Sequence, residues 1–157
     1  MGKVSKKITL ESIIDVSGLN STEKKDLKDE LGEFIVDMIL ADASKQRSSV
    51  SGQLWKRLSP DYKKFKKKEG GSGKADMELY GDMLDALDYK RTTDGIEIGV
   101  FIDKQAKKVD GHSHTGVFGK SKLPKRQMIP GEKENFRPGI MKEVTLLAQE
   151  VIDGIEA

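Results

Sequence analysis

The sequence predicts one α+β domain, in which three amphipathic helices pack on a small antiparallel sheet that contains a β-hairpin, with long loops between the elements. Three segments repeat their apolar residues at spacings of three and four, which places those residues on one face of a helix. A fourth segment alternates apolar with other residues, which is typical of a half-buried strand. Because 157 residues suffice to bury one good core, we expect a single domain over residues 1–157.

The first helix begins after Asn20 and ends near Ser44. The side chains of Asn20 and of Glu23, three positions further on, can satisfy amide groups that the first helical turn leaves free. The apolar residues on its buried face are Leu27, Leu31, Phe34, Ile35, Met38 and Ile39. These two signals together predict where the helix starts and which face it buries.

In the second half of the chain, the spacing of the apolar residues changes from the helical spacing to the alternation of a strand and back. A second helix fits residues 75–87, with Leu79, Met83, Leu84 and Leu87 on one face. Residues 89–93 and the alternating residues 96–102 predict a hairpin, because the pair Asp94-Gly95 tolerates the positive φ angles of a tight turn. A third helix starts just after Pro138. Its apolar face holds Ile140, Val144, Leu147, Ala148, Val151 and Ile155.

Three stretches lie outside these elements. Residues 1–19 stay undecided between a short strand and a first helical turn, because their apolar residues fit neither period. Residues 69–74 contain three glycines and no apolar residue, so we expect a flexible loop there. Residues 103–134 form a long polar loop region, and excursions of that length are more often functional or interfacial than idle.

The net charge of +2 hides an uneven distribution along the chain. Residues 56–68 hold seven basic residues and one acid, so they carry +6 and the rest of the chain sums to about −4. Aromatic residues are interleaved with these cations. One interpretation is an amphipathic helix whose aromatic residues pack inward while its lysines are solvated. The other is nucleic-acid contact by charge and stacking. We favour the first, because the whole chain is nearly neutral.

The composition excludes several functional classes. With no cysteine there is no disulfide, thiol nucleophile or cysteine metal cluster, and we expect a reducing compartment, the cytosol. No apolar run approaches the length of a membrane span. The histidines, His112 and His114, have no third metal ligand at a familiar spacing. We therefore expect no catalytic residues, no metal and no cofactor, and an enzyme is disfavoured.

Four motifs follow one another along the last two thirds of the chain. They are Trp55-Lys56-Arg57-Leu58-Ser59-Pro60-Asp61-Tyr62-Lys63, Leu79-Tyr80-Gly81-Asp82-Met83-Leu84-Asp85-Ala86-Leu87, His114-Thr115-Gly116 and Leu123-Pro124-Lys125-Arg126-Gln127-Met128-Ile129. In this order, from about residue 52 to the end, they resemble the virion morphogenesis or tail-completion proteins of long-tailed bacteriophages. The family-motif positions are Trp55, Leu58, Ser59, Tyr62, Gly81, Leu84, His114, Gly116, Pro124 and Arg126.

The resemblance implies a non-enzymatic structural protein of the virion, at the phage neck or tail terminus. Such proteins assemble as a ring, commonly hexameric, that completes the tail and joins it to the DNA-filled head. The implied partners are other copies of the chain, tail-tube or terminator proteins, and head-completion or portal-adaptor proteins, with no membrane. The implied location is the virion, after assembly in the host bacterial cytoplasm.

The basic segment has two candidate roles in such a ring. Its lysines can line the lumen and contact passing genomic DNA weakly and non-specifically, since tight sequence reading would impede ejection. They can instead meet an acidic face of a neighbouring subunit. The acidic residues considered for that face are Asp26, Asp29, Glu30, Glu33 and Asp37. The candidate contact residues in either role are Lys63, Lys64, Lys66, Lys67 and Lys68.

Two other functional classes stay open at this point. One is a small nucleic-acid-binding module that uses the basic region 56–74. The other, which we favour least, is a metal-dependent enzyme around His112 and His114. A salt titration of DNA binding tests the first, and metal analysis tests the second.

Overall fold

The computed structural model describes residues 4–45, 47–54, 86–101, 117–118, 121–122, 128–131 and 133–156. The described part contains two α-helices, which are α1 (Ser21–Ser44) and α2 (Pro138–Glu156). It also contains the strands β1 (Val4–Thr9), β2 (Leu87–Arg91), β3 (Gly95–Val100), β4 (Val117–Phe118) and β5 (Ser121–Lys122). This composition of elements is that of an α+β protein.

Strand β3 lies in the middle of an antiparallel sheet, with β1 on one side and β2 on the other. Alternate residues of β3, namely Ile96, Ile98 and Val100, are fully buried and belong to the main hydrophobic core. The predicted hairpin is confirmed, because β2 and β3 are consecutive antiparallel strands whose paired residues include Arg91 and Ile96. The alternation of side chains that predicted β3 is therefore the alternation between the core and the opposite face of the sheet.

The hairpin turn sits one residue earlier than the sequence predicts. The backbone N–H of Thr92 donates to the carbonyl of Gly95 at 2.9 Å, so Thr93 and Asp94 occupy the centre of the turn. Gly95 belongs to β3 and pairs with Thr9. A Cβ atom at position 95 would overlap the carbonyl oxygen of Ile8. Glycine is therefore required here by the close approach of β1, and not by the turn conformation.

Helix α1 begins as the sequence predicts. The Asn20 side chain accepts a hydrogen bond from the N–H of Glu23 at 2.8 Å, and the Glu23 carboxylate accepts one from the N–H of Asn20 at 2.9 Å. This reciprocal pair satisfies two donors that the first turn would otherwise leave free. The predicted buried face is confirmed by Leu27, Leu31, Ile35 and Ile39, which are fully buried, while Phe34 and Met38 are partly buried beside them.

The helix packs closely against the sheet at one point, where Gly32 meets Tyr89 of β2. A Cβ atom on Gly32 would overlap the aromatic ring, so only glycine allows this approach. The Tyr89 hydroxyl donates to Asp29 at 3.1 Å. Burial, together with the neighbouring Asp29 carboxylate, raises the pKa of Tyr89 to about 12.

Helix α2 starts at Pro138, next to the position that the sequence predicts. Every fourth residue from Ile140 is buried, namely Ile140, Val144, Ala148 and Ile152. These residues share one core with the buried face of α1 and with the sheet. Burial of this shared apolar surface is what holds the two helices to the sheet.

The prediction of three helices is wrong, because the described residues form two helices and a three-stranded antiparallel sheet. Leu87, which we expected at the end of the second helix, is the first residue of β2. It is buried and pairs with Val100 of β3. A leucine at the end of an apolar run fits either a helix or a strand. Here its pairing with β3 makes it a strand residue. Residues 75–85 of the predicted helix lie outside the described residues.

The structure describes parts of residues 1–19 and 103–134. Within residues 1–19, a strand (β1) is followed by a short 3-10 turn over Leu10–Ser12, which explains why neither period fits. Within residues 103–134, the strands β4 and β5 pair with each other, and Met128 and Ile129 are fully buried. The expected flexible loop 69–74 lies outside the described residues. Neither of the two described helices is long and apolar enough to cross a membrane.

Candidate assembly surface

The lysines and motif positions that the sequence singled out lie outside the described residues. They are Lys63, Lys64, Lys66, Lys67 and Lys68, with Trp55, Leu58, Ser59, Tyr62, Gly81, Leu84, His114, Gly116, Pro124 and Arg126. His112 lies outside them as well. In the part of the chain that the structure describes, no group of three or more His, Asp or Glu side chains is placed to hold a metal ion. The candidate surface that the structure does describe is the acidic face of α1.

Four carboxylates form a row along the outer side of α1, which we call the acidic stripe. Its members are Asp26, Glu30, Glu33 and Asp37, and all four are exposed. Their spacings of four, three and four residues place them on one face of the helix, away from the buried leucines and isoleucines. Leu40, which is 36% exposed, continues the same face at the next helical position.

Asp29, which the sequence grouped with these residues, does not belong to the stripe. Its carboxylate accepts a hydrogen bond from Tyr89 and lies 3.6 Å from Nε of Arg91. Both contacts are made to strand β2. Asp29 therefore helps to hold α1 on the sheet, and it is not a free carboxylate of the outer face.

The acidic stripe has no cationic partner among the described residues: none of its four carboxylates accepts a hydrogen bond or forms an ion pair. The helix does contain a lysine nearby, Lys28, but that side chain is turned toward the hairpin. Its Nζ donates to the carbonyls of Thr92 at 2.7 Å and Thr93 at 3.1 Å. Like charges three and four residues apart on a helix each oppose its formation by about 0.2–0.5 kcal/mol. The stripe is thus slightly unfavourable to the isolated chain.

The charges of the chain are divided between its described and remaining residues. The described residues carry 17 acids and 13 bases, a net charge of −4. The remaining residues carry 9 acids and 15 bases, a net charge of +6. The acidic stripe thus belongs to a chain whose basic residues are concentrated in residues 56–68.

A second group of charged residues joins the two helices inside the fold. Arg137, which precedes α2, donates from Nε and Nη2 to the two carboxylate oxygens of Asp42, each at 2.9 Å. Asp42 lies near the end of α1 and is 3% exposed. The hydroxyl of Ser49 donates to the same carboxylate at 3.1 Å, and the N–H of Arg137 donates to the Ser49 carbonyl at 2.7 Å. We call this group the Asp42–Arg137 brace.

The brace is suited to a structural role. The side-chain hydrogen bond from Arg137 to Asp42 raises the pKa of the guanidinium, so Arg137 stays charged. A bidentate pair of this kind satisfies the two oxygens of the carboxylate and fixes the angle between the partners. The pair could not be predicted from the sequence, because Asp42 and Arg137 are 95 residues apart. The available signal was the position of Asp42, three residues after Ile39 on the buried face of α1.

The face of the sheet opposite the helices carries a further carboxylate. Glu97 of β3 is buried and accepts a hydrogen bond from the hydroxyl of Ser5 at 2.5 Å. Its neighbours across the two adjacent strands are Lys7 and Lys90. The ammonium group of Lys90 also lies 4.3 Å from the centre of the Phe101 ring. Opposite charges on directly paired residues of neighbouring strands favour strand pairing.

Comparison with known proteins does not add a family to these observations. No family model matches the chain, and neither a curated protein nor a solved structure matches it.

Proposed function

We propose that this chain is a non-enzymatic structural protein of a bacteriophage virion, which assembles with copies of itself into a ring. The ring lies at the neck or tail terminus, where it completes the tail and joins it to the DNA-filled head. The order of four motifs from about residue 52 to the end supports the virion assignment, through its resemblance to tail-completion proteins.

The observation that supports the self-assembly part of the proposal is the acidic stripe, which meets no cation among the described residues. A row of four like charges brings no benefit to the isolated chain, and the same chain carries a basic surplus in other segments. Two unlike surfaces on one chain favour head-to-tail contacts between copies. Contacts of that type generate a closed ring when the rotation between neighbours closes.

In this proposal the ring has two kinds of protein partner and also contacts DNA. On one side it contacts tail-tube or terminator proteins, and on the other it contacts head-completion or portal-adaptor proteins. Genomic DNA passes through the ring, and any lysines that line the lumen attract its phosphates weakly and without sequence preference. The protein is made in the host bacterial cytoplasm and resides in the virion.

The direct test is the mass of the full-length protein in solution. We expect higher-order species to appear as the concentration rises, or on addition of tail tubes or portal assemblies. Imaging of intact particles should then place the chain between head and tail. A protein that stays monomeric at high concentration and also in the presence of both assemblies would contradict the proposal.

A second candidate function is a small nucleic-acid-binding module. The observation that favours it is the charge of +6 carried by residues 56–68, which also contain aromatic side chains. Binding of this kind weakens steeply with salt, because each neutralised phosphate releases counterions. We expect a steep salt dependence of DNA binding if this function is correct. No binding at low salt, or an affinity that is indifferent to salt, rejects it.

A further inference from the structure

We propose that the outer edge of strand β2 is an interface, and that its occupant is the same edge of a second copy of this chain. The two strands pair antiparallel about a two-fold axis at Tyr89, so that the sheets of the two copies become one continuous sheet. The inference goes beyond the proposed function and does not rest on it, because a two-fold pair forms without a ring.

The outer edge of β2 presents backbone groups that no strand among the described residues uses. Strand β2 lies at one end of its sheet, with β3 on its inner side. Hydrogen-bonded and non-hydrogen-bonded pairs alternate along an antiparallel ladder. The N–H of Thr92 donates to the carbonyl of Gly95, in the register that β2 and β3 share, so residues 90 and 88 bond to β3. Residues 87, 89 and 91 therefore direct their N–H and carbonyl groups outward.

The N–H of Tyr89, at the centre of this edge, is covered by a local contact. It donates to Oδ1 of Asp88, the side chain that precedes it, at 2.8 Å. A strand in the interior of a sheet gives such an N–H to the carbonyl of a neighbouring strand. Asp88 is exposed, so water competes with this local bond. The contact can therefore be exchanged for a bond to a second strand.

The charges on β2 select one register of self-pairing. Asp88 and Lys90 are exposed, and they share the face of the strand opposite to that of Tyr89, which packs on α1. Outward-facing residues must pair with each other, so the two-fold axes that keep most of the strand paired lie at residues 88, 89 and 90. An axis at residue 88 or 90 places Asp88 opposite Asp88, or Lys90 opposite Lys90. An axis at Tyr89 places each Asp88 opposite Lys90 of the second copy, and opposite charges in this position favour pairing.

The register at Tyr89 also uses every outward backbone group of β2. Tyr89 pairs with Tyr89 of the second copy, and Leu87 pairs with Arg91 in both directions, so about six backbone hydrogen bonds form. On the face toward α1 the two Tyr89 rings become neighbours, and adjacent aromatic residues on paired strands stabilise a sheet. The same surface of both copies meets across the two-fold axis, so the contact closes on itself as a dimer.

Disulfide trapping tests the register, because the chain contains no cysteine. One variant carries Asp88→Cys and the other carries Lys90→Cys. In the proposed register, position 88 lies opposite position 90 in a pair without backbone hydrogen bonds, where the Cα atoms are about 4.5 Å apart and a disulfide fits. Two copies of a single variant place their cysteines diagonally, about 7–8 Å apart, which is beyond the usual span of a disulfide.

We expect an equimolar mixture of the two cysteine variants to form a disulfide-linked dimer at least about tenfold faster than either variant alone. A mixture of Lys90→Cys with Glu143→Cys, at an exposed position of α2, is the matched control for chance collisions. It should cross-link no faster than a single variant. If Asp88→Cys or Lys90→Cys alone cross-links as fast as the mixture, the axis lies at residue 88 or 90 and the register at Tyr89 is wrong.

A proline at the edge tests the backbone hydrogen bonds. Arg91→Pro removes an outward N–H, while Arg91→Ala, the matched control, loses the same contact with Asp29 and keeps the N–H. Sedimentation equilibrium of the full-length protein measures the dissociation constant of the dimer. We expect this constant to be at least about tenfold larger for Arg91→Pro than for Arg91→Ala, since two hydrogen bonds per dimer are lost. Urea unfolding shows whether both variants keep the fold, and the cysteine variants decide if the proline variant does not.

The outcomes distinguish the β2 interface from the proposed function. If the unmodified protein forms higher-order species but the cysteine mixture cross-links no faster than its control, the β2 interface is wrong and the proposed function stands. If the mixture cross-links as expected, but nothing larger than a dimer forms even with tail tubes or portal assemblies, the interface stands and the proposed function is wrong. Equal dissociation constants for folded Arg91→Pro and Arg91→Ala also overturn the interface. An unmodified protein that is monomeric throughout contradicts both proposals.

Discussion

Helix α1 carries two kinds of carboxylate, which differ in what surrounds them. Asp42, near the end of the helix, is 3% exposed and receives a bidentate pair of hydrogen bonds from Arg137. The carboxylates of the acidic stripe are exposed and meet no cation among the described residues. The same chemical group on the same helix therefore serves the fold in one place and is left free by it in the other.

The difference in burial between Asp42 and the acidic stripe determines whether a carboxylate needs a cation within the fold. A buried carboxylate must find its counterion within the fold, because leaving a charge unpaired in the interior is costly. An exposed row of like charges is tolerated, since water and salt screen the repulsion. The brace should therefore control stability with little effect on assembly beyond folding, and the stripe should control assembly with little effect on stability.

The largest effect is expected from breaking the brace. Arg137→Ala leaves Asp42 as an unpaired buried charge, so we expect the free energy of unfolding to fall by about 3–5 kcal/mol. Urea unfolding followed by circular dichroism measures this loss. Asp37→Asn, in the stripe on the same helix, is the matched control and should change stability by no more than about 0.5 kcal/mol. Equal losses in the two variants would show that burial of the carboxylate does not decide its role.

The next effect concerns the contact between α1 and the sheet. Gly32→Ala places a methyl group in overlap with one edge of the Tyr89 ring, so we expect a loss of about 1–3 kcal/mol from overpacking. Gly154→Ala in α2 is the control, because a Cβ atom there meets nothing within 4 Å. That substitution should raise stability by about 0.5 kcal/mol through the better helix propensity of alanine. A Gly32→Ala protein as stable as the unmodified one would mean that this approach of helix and sheet is looser than the structure has it.

Tyr89 gives the fold a predictable response to alkaline pH. The pKa of a tyrosine is about 10 in an unfolded chain, and the fold raises it to about 12. The unfolded state therefore releases the proton first, so the stabilisation is complete below about pH 10 and is lost as the pH rises toward about 12. Urea unfolding at a series of alkaline pH values should show a steeper loss in the unmodified protein than in Tyr89→Phe. Parallel losses in the two proteins would contradict the raised pKa.

The smallest effect on stability is expected in the stripe itself. Glu30→Gln, Glu33→Gln and Asp37→Asn together remove like-charge repulsion along α1, so the unfolding free energy should rise by about 0.5 kcal/mol or less. Assembly of the same variant should weaken, as measured by sedimentation. A clear loss of stability would mean that these carboxylates have partners within the fold. The stripe would then resemble Asp42, and the comparison would fail.

The parts of the fold that depend on neighbouring residues could be predicted from the sequence. The start of α1 follows from Asn20 and Glu23, because a cap is made within one helical turn. The buried faces of α1 and α2 and the alternation in β3 follow from the spacing of their apolar residues. These features are local, so no knowledge of the tertiary structure is needed to infer them.

The parts that depend on distant residues could not be predicted. Leu87 fits the end of a helix by its spacing, and only its pairing with Val100 makes it a strand residue. Gly95 fits a turn by its type, while its actual constraint is the passage of β1 beside it. In the candidate surface, Asp29 looks like its acidic neighbours in the sequence, and contacts with Tyr89 and Arg91 of β2 set it apart. The brace depends in the same way on an arginine that follows much later in the chain.

The most direct test of the central claim is the mass of the unmodified full-length protein at fixed concentration over a range of salt. If copies assemble through oppositely charged surfaces of this chain, higher-order species should dominate at low ionic strength. They should dissociate as the salt concentration rises toward about 1 M, where the screening length falls to about 3 Å. A protein that is monomeric at every salt concentration, or whose assembly is indifferent to salt, would contradict the claim.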